Sequence, residues 1–154
     1  MRKFLLYFLL ILALLGAVDA GYLLVQTVSG KAVICPNVPI GRFNLNQCNI
    51  VLATPYAKFL GLPVALYGFI AYLLFAIIIL YELNKPVYYV SYSIYNKQLM
   101  VFLSGAGFLI SVYFVYLQFF EIKALCLYCL VSTALIILIF IGSVVYNFRY
   151  SKGT

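Results

Sequence analysis

The chain has 154 residues, of which 67% are hydrophobic and only 8% are charged, with a formal net charge of +7. About half of an ordinary soluble chain is apolar, so a soluble domain of this length could not bury so much apolar surface, and a membrane protein is predicted. The positive charge does not support nucleic-acid binding here, because the basic residues stand at the ends of apolar runs, which favours lipid headgroups as their partners.

The first apolar run extends from Phe4 to Val25 and follows two basic residues, Arg2 and Lys3. At about 1.5 Å per residue in a helix, it is long enough to cross the hydrocarbon core of a bilayer. The same features are typical of a secretory signal peptide with cleavage after Ala20. We favour a retained first span, because the apolar run continues past that position.

Residues 26–60 have the composition of a 35-residue aqueous loop. The loop carries Cys35, Cys48 and three of the five prolines. Thr54 before Pro55 matches an N-cap residue followed by proline at the first helical position. We therefore expect a short interfacial helix over Pro55–Leu60.

Three further apolar runs predict spans over about residues 63–81, 99–120 and 124–146. A short connection over residues 87–98 precedes the third of these spans. Its tyrosines predict an aromatic belt at the membrane interface: Tyr88, Tyr89, Tyr92 and Tyr95. The predicted fold is an all-α membrane protein, a single domain over residues 1–154 in which four transmembrane helices form a bundle.

Four spans place both termini on the same side of the membrane. That side then carries six basic residues and the other side four: Arg2, Lys3, Lys85, Lys97, Arg149 and Lys152 against Lys31, Arg42, Lys58 and Lys123. Because cytoplasmic segments carry the excess of Lys and Arg, the count predicts cytoplasmic termini in the plasma (inner) membrane. The loop that carries two cysteines is then extracytoplasmic, where disulfides persist.

The residue types that the sequence lacks leave the cysteine sulfur atoms as the candidate reactive groups. The sequence has no His, and its three acids are too scattered to suggest a metal cage or a carboxylate pair. The topology places all four cysteines at one membrane face, with Cys35 and Cys48 in the first outer loop and Cys126 and Cys129 at the start of the fourth span.

Cys126-Leu127-Tyr128-Cys129 is a C-x-x-C pair at the start of a predicted helix. The spacing puts both thiols on the first turn, where they can make and break a disulfide. Exposed N–H groups and the helix dipole stabilise a thiolate there, so a lowered thiol pKa is expected, and Lys123 adds positive charge. Such a thiol is a ready nucleophile and leaving group, as disulfide exchange requires.

Two other interpretations of the cysteines compete with a redox relay. The first is a structural zinc site, although the C-x12-C spacing of the loop pair is longer than in most zinc knuckles. The second is a pair of static disulfides outside the cell. A disulfide within C-x-x-C closes almost no loop and adds little stability by chain entropy, so a working pair is favoured.

Four further motifs surround the cysteines. They are Val51-Leu52-Ala53-Thr54-Pro55-Tyr56-Ala57, Gly61-Leu62-Pro63, Leu66-Tyr67-Gly68 and Ser111-Val112-Tyr113-Phe114. With four cysteines in this order, the chain resembles the prokaryotic, disulfide-forming (DsbB-like) members of the vitamin K epoxide reductase family over about residues 35–132. The resemblance implies a four-helix bundle around a quinone and a separate thioredoxin-like (DsbA-like) partner protein.

The resemblance also implies a direction of electron flow. A reduced partner attacks a Cys35–Cys48 disulfide, with Cys35 as the exposed shuttle residue. The freed Cys48 attacks Cys126, and Cys129 is released as a thiolate facing a quinone of the ubiquinone or menaquinone type. Electrons pass to the quinone and the Cys126–Cys129 disulfide returns. The predicted function is thus a quinone-dependent thiol oxidoreductase, without metal, that generates protein disulfides.

The chain departs from the animal members of this family at two positions. Those enzymes contact vitamin K through an Asn and a Tyr, and the matching residues here are Val64 and Thr133. The departure favours an ordinary respiratory quinone over vitamin K epoxide. Two alternatives stay open: a vitamin K epoxide reductase that uses partner thiols, and a non-enzymatic membrane subunit with structural disulfides.

Side chains near the outer ends of the spans are candidates for a quinone pocket beside Cys129: Tyr67, Phe114, Phe119, Tyr128 and Thr133. Each aromatic residue among them has simple packing as the alternative. Asp19 lies inside the first span, where an acid is a functional candidate by default. It is a candidate proton carrier for quinol formation, unless it only reaches the outer headgroups.

Overall fold

The computed structural model describes residues 2–35, 39–40, 43–44, 47–84 and 90–151. The elements in chain order are α1 (Arg2–Ser29), β1 (Pro39–Ile40), β2 (Phe43–Asn44), α2 (Cys48–Ala53), β3 (Lys58–Phe59), β4 (Leu62–Pro63), α3 (Val64–Asn84), α4 (Val90–Leu117) and α5 (Leu127–Ser151). A 3-10 turn, Pro55–Ala57, follows α2, and a π-helical turn, Gln118–Ile122, ends α4.

Four helices contain segments long and apolar enough to cross a membrane: Lys3–Ser29, Val64–Asn84, Tyr95–Ile122 and Leu127–Arg149. A helix satisfies its own backbone polar groups, which is what a segment in lipid requires. Both α1 and α4 pack against α3 and α5, so the four helices close a ring. The prediction of an all-α, four-helix membrane bundle is confirmed.

Small residues let the helices approach closely at the bundle core. A Cβ atom at Gly16 would collide with the Tyr72 ring of α3, and one at Gly142 would lie 2.6 Å from the Leu9 side chain. Close backbone approach of this kind is how membrane helices gain van der Waals contact. Leu9 and Gly16 precede Ala20, so the residues that the signal-peptide alternative would remove belong to this core.

The loop between α1 and α3 has its short helix in a different place from the predicted one. The helix is α2, which begins at Cys48, whereas the predicted Pro55–Leu60 helix is reduced to the 3-10 turn Pro55–Ala57. The Thr54 hydroxyl does not cap that turn, because it donates to the carbonyl oxygen of Val51 at 2.7 Å. The turn ends after three residues.

A β-hairpin replaces the rest of the predicted interfacial helix. Strand β3 pairs with β4 in antiparallel register, with Lys58 opposite Pro63 and Phe59 opposite Leu62. The two residues between the strands both have positive φ, 53° at Leu60 and 81° at Gly61. Positive φ at both central residues matches a type I′ turn and is incompatible with a right-handed helix through Leu60.

Helix α4 begins at Val90, so most of the connection predicted over residues 87–98 is helical. Two polar residues of that stretch, Asn96 and Lys97, are buried in the bundle. The Lys97 amino group lies 6.0 Å from the centroid of the Tyr146 ring in α5. Of the tyrosines assigned to an aromatic belt, Tyr95 is exposed, Tyr92 lies in α4, and Tyr88 and Tyr89 lie outside the described residues.

Candidate redox site

The four cysteines lie together at one end of the bundle. They belong to one buried cluster formed by α1, the loop, α2 and the start of α5. Cys48 and Cys126 are fully buried, and Cys129 is half-buried. Cys35, which the resemblance implied to be the exposed shuttle residue, is buried at 8% exposure, because it packs in this cluster. The convergence follows from the topology, since the first loop and the start of the fourth span meet at the same end.

Cys35 and Cys48 are joined by a disulfide, as the family resemblance implied. Their Cα atoms are 6.5 Å apart, within the usual range of about 4.4–6.8 Å. Because these two cysteines are bonded to each other, only two thiols are left for a four-cysteine zinc site. Within the part of the chain that the structure describes, no group of three or more His, Cys, Asp or Glu side chains is arranged around a metal position.

The backbones that lead into the two buried cysteines are hydrogen-bonded to each other. The N–H of Gln47 donates to the carbonyl oxygen of Leu125 at 3.3 Å. Gln47 directly precedes Cys48, and Leu125 directly precedes Cys126. The contact therefore places Cys48 of the loop beside Cys126 of the C-x-x-C pair.

Cys126 acts as the N-cap residue of α5, with its sulfur in the place of a capping oxygen. Its Sγ accepts a hydrogen bond from the backbone N–H of Cys129 at 3.4 Å, and its carbonyl oxygen accepts the first helical bond, from Leu130, at 3.1 Å. The sulfur thus lies at the positive end of the helix dipole. Both C-x-x-C cysteines are unbonded thiols.

Hydrogen bonds lower the pKa of the Cys126 thiol. The largest cause is the bond from the Cys129 thiol, and backbone N–H groups of Cys129 and Tyr128 add to it. Burial and the charge of Asp19 oppose the effect by raising this pKa. The net result favours a thiolate at Cys126, the first cysteine of the pair.

The π-helical turn at the end of α4 places a buried amide against Cys126. Gln118 is 2% exposed, and its Oε1 accepts a hydrogen bond from the backbone N–H of Cys126 at 3.1 Å. Lys123 ends the turn in the left-handed region with φ 52°. Such π-turns are frequent at functional sites. Gln118 was not among the residues predicted from the sequence, although a single amide within the apolar run 111–120 is the signal that could have identified it.

A cavity of about 250 Å³ lies among the four long helices, with Cys129 in its wall. The wall is mostly apolar, as in most small-molecule sites, and the volume lies just below their usual range of about 300–1,000 Å³. Polar side chains at the wall are Thr27, Thr54, Ser104, Ser111, Gln118, Ser132 and Thr133.

Three of the five residues predicted to line a quinone pocket beside Cys129 do line this cavity: Tyr67, Phe114 and Thr133. Tyr128 and Phe119 are not among the described residues of its wall. The Tyr128 hydroxyl donates instead to the carbonyl oxygen of Ile34 at 3.1 Å, and its ring centroid is 5.2 Å from that of Tyr22. Tyr128 therefore contacts the loop and α1.

Both positions at which the chain departs from the animal enzymes face the cavity. Val64 begins α3 at the wall and offers no hydrogen bond. The Thr133 hydroxyl donates to the carbonyl oxygen of Cys129 at 2.8 Å within α5. Neither side chain thus reproduces the Asn or the Tyr to which the resemblance assigned vitamin K contact.

Asp19 lies in α1, directly before Ala20 of the cavity wall. Its Oδ2 atom is buried and has no hydrogen-bond partner among the described residues. The Tyr72 hydroxyl lies 3.0 Å from both the carbonyl oxygen and the hydroxyl of Ser132, and both residues line the cavity. This pair could not be predicted from the sequence, because one Tyr and one Ser within apolar spans are typical of ordinary packing.

Together these features define a membrane-embedded thiol oxidoreductase, with a disulfide in the loop, a thiol pair at a helix start and an apolar cavity behind it. The chain matches the vitamin K epoxide reductase family over residues 7–144, which is most of its length, and it belongs to that family. A comparison with curated proteins gave no match.

Proposed function

We propose that the protein is a quinone-dependent thiol oxidoreductase of the prokaryotic, disulfide-forming (DsbB-like) type. It reoxidises a thioredoxin-like (DsbA-like) partner and so generates protein disulfides. One observation carries the proposal: the Cys129 thiol lies in the wall of an apolar cavity, and the Cys35–Cys48 disulfide lies in the loop of the same cluster. The two pairs thereby connect an aqueous thiol donor to a lipid-soluble acceptor.

The exposures of the cysteines support an order of exchange. A partner thiolate attacks Cys35, which is 8% exposed while Cys48 is 0% exposed, and Cys48 leaves. The second partner thiol resolves the mixed disulfide, and Cys35 is left reduced. Cys48 then attacks Cys126 of an oxidised Cys126–Cys129 pair, which releases Cys129 as a thiolate at the cavity wall. Each exchange breaks one S–S bond and forms one, so both electrons stay in the protein until they leave through Cys129.

A bound quinone supplies an acceptor for two electrons and two protons. The cavity suits such a group, because its walls are mostly apolar and a thiol, Cys129, lies in them. Tyr67, Phe114 and Thr133 would line the site. The acceptor must be more oxidising than the thioredoxin-like partner, and a strong partner of that class has a potential of about −120 mV. We propose a quinone of the ubiquinone or menaquinone type as that acceptor.

Replacement of Cys129 tests the relay. In Cys129→Ala, Cys126 can still attack the loop disulfide, but the Cys129 thiol that would displace Cys48 from Cys126 is absent, so only Cys35 can reverse the exchange. We expect a Cys48–Cys126 disulfide to accumulate and quinone reduction to fall to background, measured by thiol-reactive gel shift and by quinol absorbance. Normal quinone turnover in this variant would rule out the mechanism.

Replacement of Cys35 identifies the entry point. Cys35→Ala should abolish electron entry from a protein thiol but leave part of the turnover driven by a small dithiol, since a small dithiol can reach Cys126–Cys129 directly. Quinone reduction is measured with both donors on the same preparation. An equal loss with the two donors would show that Cys35 is not the entry residue.

Family membership makes a vitamin K epoxide reductase the second candidate. Val64 and Thr133 at the cavity wall argue for plain quinone, since neither offers the contact that the resemblance assigns to vitamin K. Turnover of the epoxide at a rate comparable with quinone reduction would favour this candidate. A non-enzymatic subunit with static disulfides would form no Cys48–Cys126 species at all.

Asp19 is the side chain that we propose as the proton carrier of the site. Its buried, unpaired Oδ2 argues against a side chain that merely reaches the headgroups. Asp19→Asn keeps the shape and removes the titratable carboxyl group, so quinone reduction should fall about 10²–10⁴-fold, as loss of a general acid–base group does. The pH profile of quinone reduction should lose one limb at the same time. A variant with wild-type rate and profile would exclude this role.

A further inference from the structure

The side chains of Asn49 and Tyr128 hydrogen-bond to the backbone of the segment that leads into Cys35. Asn49 follows Cys48; its Oδ1 accepts from the N–H of Val33 at 2.7 Å and its Nδ2 donates to the Val33 carbonyl oxygen at 3.3 Å. Tyr128 stands within the C-x-x-C pair and donates its hydroxyl to the carbonyl oxygen of Ile34 at 3.1 Å. Val33 and Ile34 are the two residues directly before Cys35.

The contacts fix a segment that has no regular structure of its own. Residues 31–35 are in neither helix nor strand. The Asn49 amide satisfies both backbone groups of Val33, as a neighbouring strand would. The Tyr128 ring packs at 5.2 Å from Tyr22 of α1, so its hydroxyl is held by the bundle. The segment before Cys35 is thus attached to α2 through Asn49 and to α1 and α5 through Tyr128.

We propose that Asn49 and Tyr128 form a clamp that keeps Cys35 next to Cys48 while the cysteine bonds change, so that Cys35 resolves the Cys48–Cys126 disulfide. Both are positioning residues, and this role rests on the relay proposed above. In the resolving step the Cys35 thiolate attacks the Cys48 Sγ. The Cys35–Cys48 bond forms, the Cys48–Cys126 bond breaks, and Cys126 leaves as a thiolate. The Cys35 thiol loses its proton to water, and no outside oxidant is consumed.

The structure contains the products of that step with the clamp in place. Cys35 is bonded to Cys48, Cys126 is an unbonded thiol, and the Asn49 and Tyr128 contacts are formed. Hydrogen bonds that lower the pKa of Cys126 also make it the better leaving group. A thiol held beside its target reacts at a high effective concentration, whereas a free segment loses conformational entropy each time it returns.

The loop disulfide alone provides a test that needs no quinone. In a Cys126→Ala/Cys129→Ala background, the equilibrium between Cys35–Cys48 and glutathione is measured by thiol-reactive gel shift. Asn49→Ala and Tyr128→Phe should each lower the equilibrium constant for disulfide formation about 2- to 10-fold, as loss of a hydrogen bond does. Asn84→Ala and Tyr95→Phe, at exposed positions outside the loop, are matched controls that should leave it unchanged. An unchanged constant in both clamp variants would overturn the clamp.

The four-cysteine enzyme provides the second measurement. During turnover with a protein thiol donor, Tyr128→Phe and Asn49→Ala should accumulate the Cys48–Cys126 disulfide, while the two controls should not. A lowered equilibrium constant without accumulation would overturn the role in resolution. If Cys129→Ala also fails to form this species, the failure belongs to the proposed relay, and the quinone-free equilibrium still decides whether the clamp exists.

Discussion

Cys126 combines two roles in one side chain. Its sulfur accepts the N–H of Cys129 and so caps α5, and it is also the atom that Cys48 would attack. The backbone contact between Gln47 and Leu125 aligns the two cysteines for that exchange. The hydrogen bonds that stabilise the helix start therefore also stabilise the thiolate that leaves during the relay.

The pH dependence of Cys126 follows from these bonds. In a Cys35→Ala/Cys48→Ala background, the Cys126 thiol should titrate below the ordinary value of about 8.5, because the Cys129 thiol lowers its pKa. Adding Cys129→Ala removes that donor, so the pKa should rise and the thiolate fraction at neutral pH should fall. Thiolate ultraviolet absorbance against pH is the measurement.

Cys129→Ser is the matched control for this titration, since a hydroxyl can still donate to the Cys126 sulfur. It should keep the pKa of Cys126 lowered. An equal pKa in the Ala and Ser variants would show that the Cys129 side chain is not the cause.

Some contacts of the site could be predicted from the sequence, and others could not. The C-x-x-C geometry was predictable because Cys126 and Cys129 are three positions apart on one helix turn. Tyr128 was assigned to the quinone pocket, but its hydroxyl bonds a residue 94 positions away in the chain. Asn49 was missed for the same reason, since its partner lies 16 positions away. Spacing predicts contacts within a helix turn, and these two depend on the assembled bundle.

The same distinction holds among the secondary-structure elements. Long apolar runs predicted the four spanning helices, because hydrophobic length is a property of the sequence itself. Strand β3 and Leu60 of the hairpin were predicted as part of a helix, because a turn sequence of Leu60-Gly61 lacks the Asn or Asp that normally marks a type I′ turn. Leu60 has a positive φ, although leucine is not one of the residue types that favour it.

Apart from Lys58, the exposed side chains of the hairpin are apolar. Phe59 is 60% exposed, Leu60 82% and Leu62 47%, and the hairpin leads directly into α3, whose outer side chains also lack protein neighbours. The Tyr67 hydroxyl donates to the Phe59 carbonyl oxygen at 3.1 Å and ties the hairpin to that helix. We expect the hairpin to lie in the membrane interface, as an exposed apolar surface continuous with a span should.

Spin labels can compare the solvent around the hairpin with the solvent around the segment that leads into Cys35. In a cysteine-free background, a label at Leu60→Cys should be accessible to oxygen and protected from a water-soluble nickel chelate. A label at Ile34→Cys should show the reverse. Ile34 is 79% exposed and Leu60 is 82% exposed, so the difference reports the surrounding solvent rather than burial. Equal accessibility to the nickel chelate would place the hairpin in water.

At the scale of the whole molecule, the two ends of the bundle have different chemistry. The cysteines and the loop occupy one end. At the other, Tyr146 of α5 donates to Glu82 Oε1 of α3 at 3.3 Å, and both are buried. The Lys97 amino group of α4 lies near the Tyr146 ring. Polar contacts thus hold α3, α4 and α5 together at the end of the bundle opposite the cysteines.

The charge argument for how the molecule is oriented in the membrane depends on a small excess of basic residues at one end of the bundle. The count of six basic residues against four includes Lys97, which is buried in the bundle and is not part of a loop. Arg42, Lys85 and Lys152 in that count lie outside the described residues. Since a few charges can reverse a topology, the redox chemistry is the stronger argument. Disulfides such as Cys35–Cys48 persist outside the cytoplasm, apart from those of some hyperthermophiles.

We predict that the cysteine end faces out and both termini face the cytoplasm. A reporter enzyme that works only in the cytoplasm should be active when fused after Thr154. In cysteine-free protein, a membrane-impermeant thiol reagent should label Ile34→Cys in intact, wall-stripped cells, since this side chain is 79% exposed at the cysteine end. Asn84→Cys, exposed at the end of α3, is the control and should react only after lysis. Labelling of Asn84→Cys alone in intact cells would invert the orientation, and the same relay would then serve cytosolic proteins.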